Sequence, residues 1–235
     1  MDVGKGNIFG IMNGFKQFVI PVYQRLYSWE IEQCSTLWHD IVSLEKENKA
    51  SHFVGSIVNI AENVMPTGVQ RFMIIDGQQR LTTLSLLMIA LWNFAEKHPG
   101  ECELKPSKIN HMFLENEDES GEDQYKLLLT EADKETFISL VENRPLPEQY
   151  SIHIKENYDY FVKQIESRTL ELDQVYKSIG KLQIVNITLE ASDDPQAIFE
   201  SLNSTGKGLS QSDLIRNNVL MGLDVRTQSL VYHDL

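Results

Sequence analysis

Between Ile74 and Leu84 the chain reads Ile-Ile-Asp-Gly-Gln-Gln-Arg-Leu-Thr-Thr-Leu, a strand that ends at Asp76-Gly77 and a helix that begins at Gln78. A helix start presents unpaired backbone N–H groups and a partial positive charge, which together attract anions. Arg80 falls in the first helical turn, where a cation is disfavoured by about 0.3–1 kcal/mol, and a bound anion would reverse that sign. Gly77 lets the backbone approach closely. A guanidinium with the amides of Gln78 and Gln79 beside free N–H donors suits triphosphate oxygens, which take bidentate charge-assisted bonds and several neutral donors. The bland alternative, a structural turn in which Arg80 pairs with a carboxylate, fits the same residues as well.

Two further constellations carry similar chemistry. Ile20-Pro21-Val22-Tyr23-Gln24-Arg25-Leu26-Tyr27-Ser28-Trp29 offers an arginine, an amide and three aromatic rings, suited to a base stacking on a ring while Arg25 meets phosphate. Aromatic residues flanking a strand are more often core, so Tyr27 and Trp29 read first as packing. Phe199 to Ser210 contains Gly206-Lys207, but the Walker pattern needs glycine where Ser201 stands and Ser or Thr where Gly208 stands, so this is no phosphate loop. What remains is a small-residue loop between two helices with Asn203, Thr205 and Lys207 as donors, or a plain connection between them.

The elements that must position these groups follow from patterning. Phe18-Val19-Ile20 is a short extended segment, and Ser28 is the expected N-cap of a helix with Ile31, Cys34, Trp38, Ile41 and Val42 on one face. Phe53 to Ile60 and Arg71 to Ile75 are Val-, Ile- and Phe-rich strands joined by a hairpin loop at Asn63 to Gly68, and a long buried helix covers Gln78 to Lys97. Thr130 with Asp133 has capping-box spacing for a helix to about Asn143, and Ile154, Tyr158, Phe161 and Ile165 stripe another. Lys181 to Glu190 is a further strand, Asp194-Pro195 starts a helix to Leu202, and Ser210 with Asp213 starts a last one over Gln211 to Gly222. The expected class is α+β: residues 1–100 as a β/α core, 101–178 as an acidic loop and helical insertion, and 179–235 as the strand and helices completing the core.

Composition narrows the classes. The 235 residues are 42% hydrophobic and 23% charged, which excludes disordered and fibrous chains and allows a substantial core. Cys34 and Cys102 sit in no metal-ligand or disulfide pattern, and the six histidines are scattered, so a metalloenzyme or a histidine-based nuclease is not expected within these residues. The net charge of -13 argues against electrostatic coating of nucleic acid. Residues 101–135 hold 4 basic against 11 acidic side chains, leaving residues 1–100 near neutral and free to face an anion. The run Glu115 to Asp123 lacks calcium-loop spacing and reads as a solvated, mobile loop. No apolar leader opens the chain and Leu84 to Ala95 is about half a membrane span, so a cytoplasmic protein with no membrane partner is expected, and the carboxyl end reads as cut from a longer chain.

Taken together, Ile-Pro-x-Tyr-Gln-Arg-x-Tyr-x-Trp at 20–29, Phe53-Val54-Gly55-Ser56-Ile57, Asp-Gly-Gln-Gln-Arg-Leu-Thr-Thr-Leu at 76–84, and Phe-x-x-x-Asn-x-x-Gly-x-x-Leu with Asp-Leu-Ile-Arg-Asn at 199–217 resemble the amino-terminal domain of GmrSD-type restriction endonucleases. The resemblance implies a ParB/sulfiredoxin-like fold that binds and hydrolyses a nucleoside triphosphate. Asp76, Gln79 and Arg80 would be catalytic, and Gly77, Gln78, Tyr23, Gln24, Arg25, Asn203, Gly206 and Asp213 would bind nucleotide. Asp76 would orient water or hold Mg²⁺. It further implies DNA as a partner of the full-length protein, an HNH-type nuclease domain in cis or in trans, room for a homodimer, and a role in anti-phage defence. The alternative is a non-catalytic nucleotide- or DNA-sensing module that controls a partner nuclease.

Overall fold

The computed structural model describes residues 1–62, 68–190 and 192–203. Its frame is one six-stranded mixed sheet in the order β1-β6-β3-β4-β2-β5. The strands are β1 (Asp2–Asn7), β2 (Lys16–Val19), β3 (His52–Ala61), β4 (Gln70–Asp76), β5 (Leu127–Leu128) and β6 (Leu182–Leu189). β3 and β4 run antiparallel, as the hairpin pattern predicts. β6 lies parallel to β3 at the centre, so residues far apart in the chain complete one sheet. Strand alternation then sorts side chains to two faces. Ile57, Ile74 and Ile184 join the main core, whereas Val58, Ile75 and Leu189 join a smaller cluster with Tyr23 on the other face.

The helices are α1 (Ile8–Met12), α2 (Ile31–Lys46), α3 (Gln78–Lys97), α4 (Pro106–Ile109), α5 (Glu131–Val141), α6 (Ile152–Glu166), α7 (Leu172–Gly180) and α8 (Pro195–Asn203). α3 is buried almost all round, from Leu81 through Ala95, because α6, α4 and the turn at residues 110–114 pack against it and its side chains share the main core with Ile57, Ile74 and Ile184 of the sheet. Its Leu, Ile and Phe side chains each contribute about 1.5–3 kcal/mol on burial. That packing holds the amino-terminal end of α3 still, and with it Arg80. At α8 the expected start holds, since the Asp194 carboxylate accepts from the N–H groups of Gln196 and Ala197.

Several local expectations are corrected. α2 is capped at Glu30, whose N–H donates to Gln33 Oε1, and not at Ser28, whose N–H is taken by the Gln79 side chain. Thr130 stands at the N-cap of α5 without a side-chain cap bond, and the Asp133 carboxylate accepts instead from the Tyr27 N–H at 2.7 Å. The acidic run is more than a solvated loop: Asn116 is buried and holds the carbonyls of Lys16 and Asp123, and a 3-10 turn spans Gly121–Gln124. Polar β1 carries no apolar strand signal and exists through its ladder with β6. Gly206, Asp213 and the helix expected over 211–222 lie outside the described residues.

Candidate functional site

β4 turns into α3 through a single residue. Gly77 has φ of +92°, in the left-handed region, and a Cβ there would sit 2.7 Å from the Ser56 carbonyl oxygen. Only glycine passes so close to β3 at that backbone angle. The first intrahelical bond is Leu81 N–H to Gly77 O, and no side chain caps the helix, so the amides of Gln78, Gln79 and Arg80 have no intrahelical acceptor.

Arg80 turns back over β3. Its Nη1 donates to the Ser56 carbonyl at 2.6 Å, and the guanidinium lies where a Gly55 side chain would be: a Cβ there would meet Cζ and Nη2 at 2.5 Å. Gly55 has φ of +116° at a register shift between β3 and β6, so the strand itself bulges to make this slot. Burial pulls the guanidinium below the usual arginine range, and the Asp76 carboxylate partly offsets that pull. Among the described residues no carboxylate forms an ion pair with Arg80, and the half-buried Asp76 side chain makes no hydrogen bond. The expected structural alternative, an Arg80–carboxylate pair, is therefore not what the fold provides.

The amides around this turn are engaged within the protein. Gln79 Oε1 accepts from the N–H groups of Ser28 and Trp29 at 2.8 and 3.2 Å, and its Nε2 donates to the Leu26 carbonyl at 3.0 Å. Gln78 Nε2 donates to Gln24 Oε1, and Gln24 Nε2 in turn to the Ile75 carbonyl. These three side chains tie the 20–29 segment to the start of α3. Tyr23 is buried, its hydroxyl directed to Met73 Sδ and its ring against Val58 and Ile75. Tyr27 is buried too, its hydroxyl bonded to Thr83 Oγ1 and to Asn157 Nδ2 of α6. Arg25 is exposed over a narrow crevice shared with Gln78, Gln79, Thr82 and Asp133, and among the described residues it makes no ion pair.

The fold thus brings Asp76, Gly77 and Arg80 together at one turn, with Arg25 beside it and Gln24, Gln78 and Gln79 as its supports. Asn203 ends α8, and Gly206 and Asp213 lie outside the described residues. Reading the motifs for chemistry missed Gly55 and Ser56. The signal was a glycine inside a Val- and Ile-rich strand, which marks a bulge or a close approach. Among the described residues no group of three or more His, Cys, Asp or Glu side chains could hold a metal ion.

Fold and site define an α+β domain whose central strand-to-helix turn presents a half-buried arginine that forms no ion pair among the described residues. The chain belongs to the family of GmrSD restriction endonucleases, as their N-terminal domain: the model of that domain matches residues 8–220. The match spans the sheet from β2 to β6 and every motif named above. It makes the chain a domain of a restriction system, which acts on DNA. A search of curated proteins finds no match. Among the described residues no helix is long and apolar enough to cross a membrane.

Proposed function

We propose that this domain binds and hydrolyses a nucleoside triphosphate and thereby regulates DNA cleavage by an HNH-type nuclease domain, in cis or in trans. The observation that carries the reading is Arg80: a largely desolvated guanidinium that forms no ion pair among the described residues and has the nearby Asp76 charge as a partial offset, held over Gly55 beside the free amides that open α3. A desolvated cation outside an ion pair is costly, and a phosphate oxygen supplies the missing charge. The polyphosphate lies across the Gly77 turn, with Arg80 stabilising the charge that develops on the transferred phosphoryl oxygens and Arg25 reaching in from the open side. Asp76 orients the attacking water. It also fits Mg²⁺, which binds through one or two carboxylates together with substrate phosphates and water, and which would neutralise phosphate charge there. Gln24, Gln78 and Gln79 position the turn.

The test is thermal shift with ATP, GTP, CTP and UTP plus Mg²⁺, alongside phosphate release, on the wild type and Arg80→Ala. A ligand that binds only the folded state at 100 times its Kd adds about 2.7 kcal/mol. Arg80→Ala should weaken binding about 10- to 150-fold, the worth of a charge-assisted pair, while the protein stays folded on Leu81, Leu84 and Leu87. Unchanged affinity in a folded variant would sink the reading; binding without phosphate release would leave a sensing module. Modified plasmid in the same reactions should stay uncut by residues 1–235 alone.

A further inference from the structure

Residues 25–30 belong to no helix or strand, so no ladder satisfies their backbone groups. Three buried side chains from three helices do so instead. Gln79 of α3 holds the Ser28 and Trp29 N–H groups and the Leu26 carbonyl, Asp133 of α5 holds the Tyr27 N–H, and Asn157 of α6 donates to the Trp29 carbonyl at 2.7 Å. On the other side of Arg25, Gln24 is tied to the Ile75 carbonyl and to Gln78. Arg25 therefore stands between anchored neighbours, and part of that anchorage comes from α5 and α6, 106 and 128 positions further along the chain.

Asn157 does more than close one bond. It is 1% exposed, and its Nδ2 also donates to the Tyr27 hydroxyl at 2.9 Å. The Trp29 carbonyl can only accept, which fixes the orientation of the amide. Thr83 Oγ1 donates to the Gln79 carbonyl at 2.8 Å, so in its 2.7 Å contact with Tyr27 it accepts the tyrosine's proton. Donors thus run in one direction, from Asn157 through Tyr27 and Thr83 to the first turn of α3. The arrangement carries a cost, because Asn157 Oδ1 is left buried with no donor, which an apolar side chain of that size would avoid. What the amide supplies in return is a fixed placement of the 27–29 backbone against the start of α3.

We propose that Asn157 is a positioning residue for the candidate site: through Tyr27, Trp29 and Thr83 it sets where Arg25 stands relative to the Gly77 turn. The ligand in this proposal rests on the nucleotide reading of Arg80; the placement of Arg25 rests on the hydrogen bonds alone. Asn157 itself touches no reacting group, and the effect of its loss passes through the 25–29 segment.

The test is calorimetric titration of the full chain with ATP, GTP, CTP and UTP plus Mg²⁺, at a temperature where every variant is folded, together with hydrogen exchange at the Ser28 and Trp29 amides without nucleotide. Asn157→Ala, Tyr27→Phe and Thr83→Val break the chain of donors at successive places, whereas Thr83→Ser keeps the hydroxyl. The first three should each weaken triphosphate binding about three- to tenfold, the effect of one lost hydrogen bond, and speed exchange at both amides. Thr83→Ser should bind as the wild type does. Asn157→Ala combined with Tyr27→Phe should be no weaker than the weaker single variant, because both act through one chain. A purely structural role would lower the melting temperature and leave the affinity of the folded protein unchanged. Unchanged affinity in folded Asn157→Ala and Tyr27→Phe therefore overturns the proposal, as do fully additive effects in the double variant. Should Asn157→Ala not fold, Tyr27→Phe and Thr83→Val, which change shape least, carry the test. A wild type that binds no triphosphate sinks the nucleotide reading by itself. The exchange rates then decide: faster exchange at Ser28 and Trp29 in the variants upholds the positioning of the Arg25 segment, and unchanged exchange overturns it.

Discussion

Gln79 and Arg80 are neighbours in one motif with opposite commitments. The Gln79 amide is used at both ends on the 26–29 segment, whereas the Arg80 guanidinium spends one donor on Ser56 and keeps the rest. Their substitutions should therefore separate. Gln79→Ala leaves the N–H groups of Ser28 and Trp29 and the Leu26 carbonyl without their partner, which should lower stability by about 1–3 kcal/mol in urea unfolding. Whatever nucleotide affinity is lost should follow loosening of that segment. A Gln79→Ala protein as stable as wild type but unable to bind nucleotide would return the amide to direct ligand contact. Tyr23 has a similar standing: its ring supports the sheet beneath the turn, so its removal acts through packing.

At the scale of elements, the site is made by two irregularities in regular structure. The β3 bulge removes a side chain at Gly55, and the single-residue turn at Gly77 drops α3 directly onto Ser56 and Ile57. Gly55→Ala puts a methyl group within 2.5 Å of the Arg80 guanidinium and demands a left-handed backbone from alanine. The guanidinium is the end of a flexible side chain and can move, so the expected result is a folded protein, destabilised by about 1–2 kcal/mol, with triphosphate affinity reduced nearly as far as in Arg80→Ala. Calorimetric titration and thermal melting of the one variant check both halves. Full nucleotide affinity in Gly55→Ala would show that the slot over β3 is not where Arg80 acts.

For the whole molecule, the acidic middle segment is fastened to the sheet through a buried lysine. Lys126 is 2% exposed, donates to the Gly14 carbonyl and to Asn116 Oδ1, and among the described residues has no carboxylate partner. Burial, helped by Lys16 nearby, pushes its ammonium down to about 8 from the 10.5 of an exposed lysine. Between those two values the unfolded chain holds the extra proton, so this group's contribution to stability rises with pH, by at most about 1.4 kcal/mol per unit. That contribution is complete above 10.5 and is lost as pH falls through 8. Cys34 works the other way: burial pushes its thiol up from 9.0 to about 12, so its share fades as pH climbs above 9. The clean window is therefore pH 8 to 9. There the wild type should gain stability with pH relative to Lys126→Met, other groups cancelling in the comparison. Parallel pH profiles would mean that Lys126 is solvated.

Local patterning determined much of this protein. Branched and aromatic runs specified β3, β4 and β6, the apolar run from Leu81 specified α3, and Asp76-Gly77 specified the turn between strand and helix, because each depends on neighbours within a few positions. The DGQQR order also pointed to the candidate site proposed above, since a helix start with an arginine in its first turn is legible without a fold. Other features were decided only by tertiary structure. That Gln79 faces the 26–29 segment and Arg80 faces Ser56 depends on backbone groups about 50 and 24 positions away meeting them. Strand β1 exists through its ladder with β6 more than 170 residues later, and Gln17 and Lys126 are buried by a segment whose composition alone reads as solvent-exposed. Periodicity reports which face a residue presents; the groups it meets there are set when distant elements pack, and at this turn that packing left Arg80 bonded to the Ser56 carbonyl with no ion pair among the described residues.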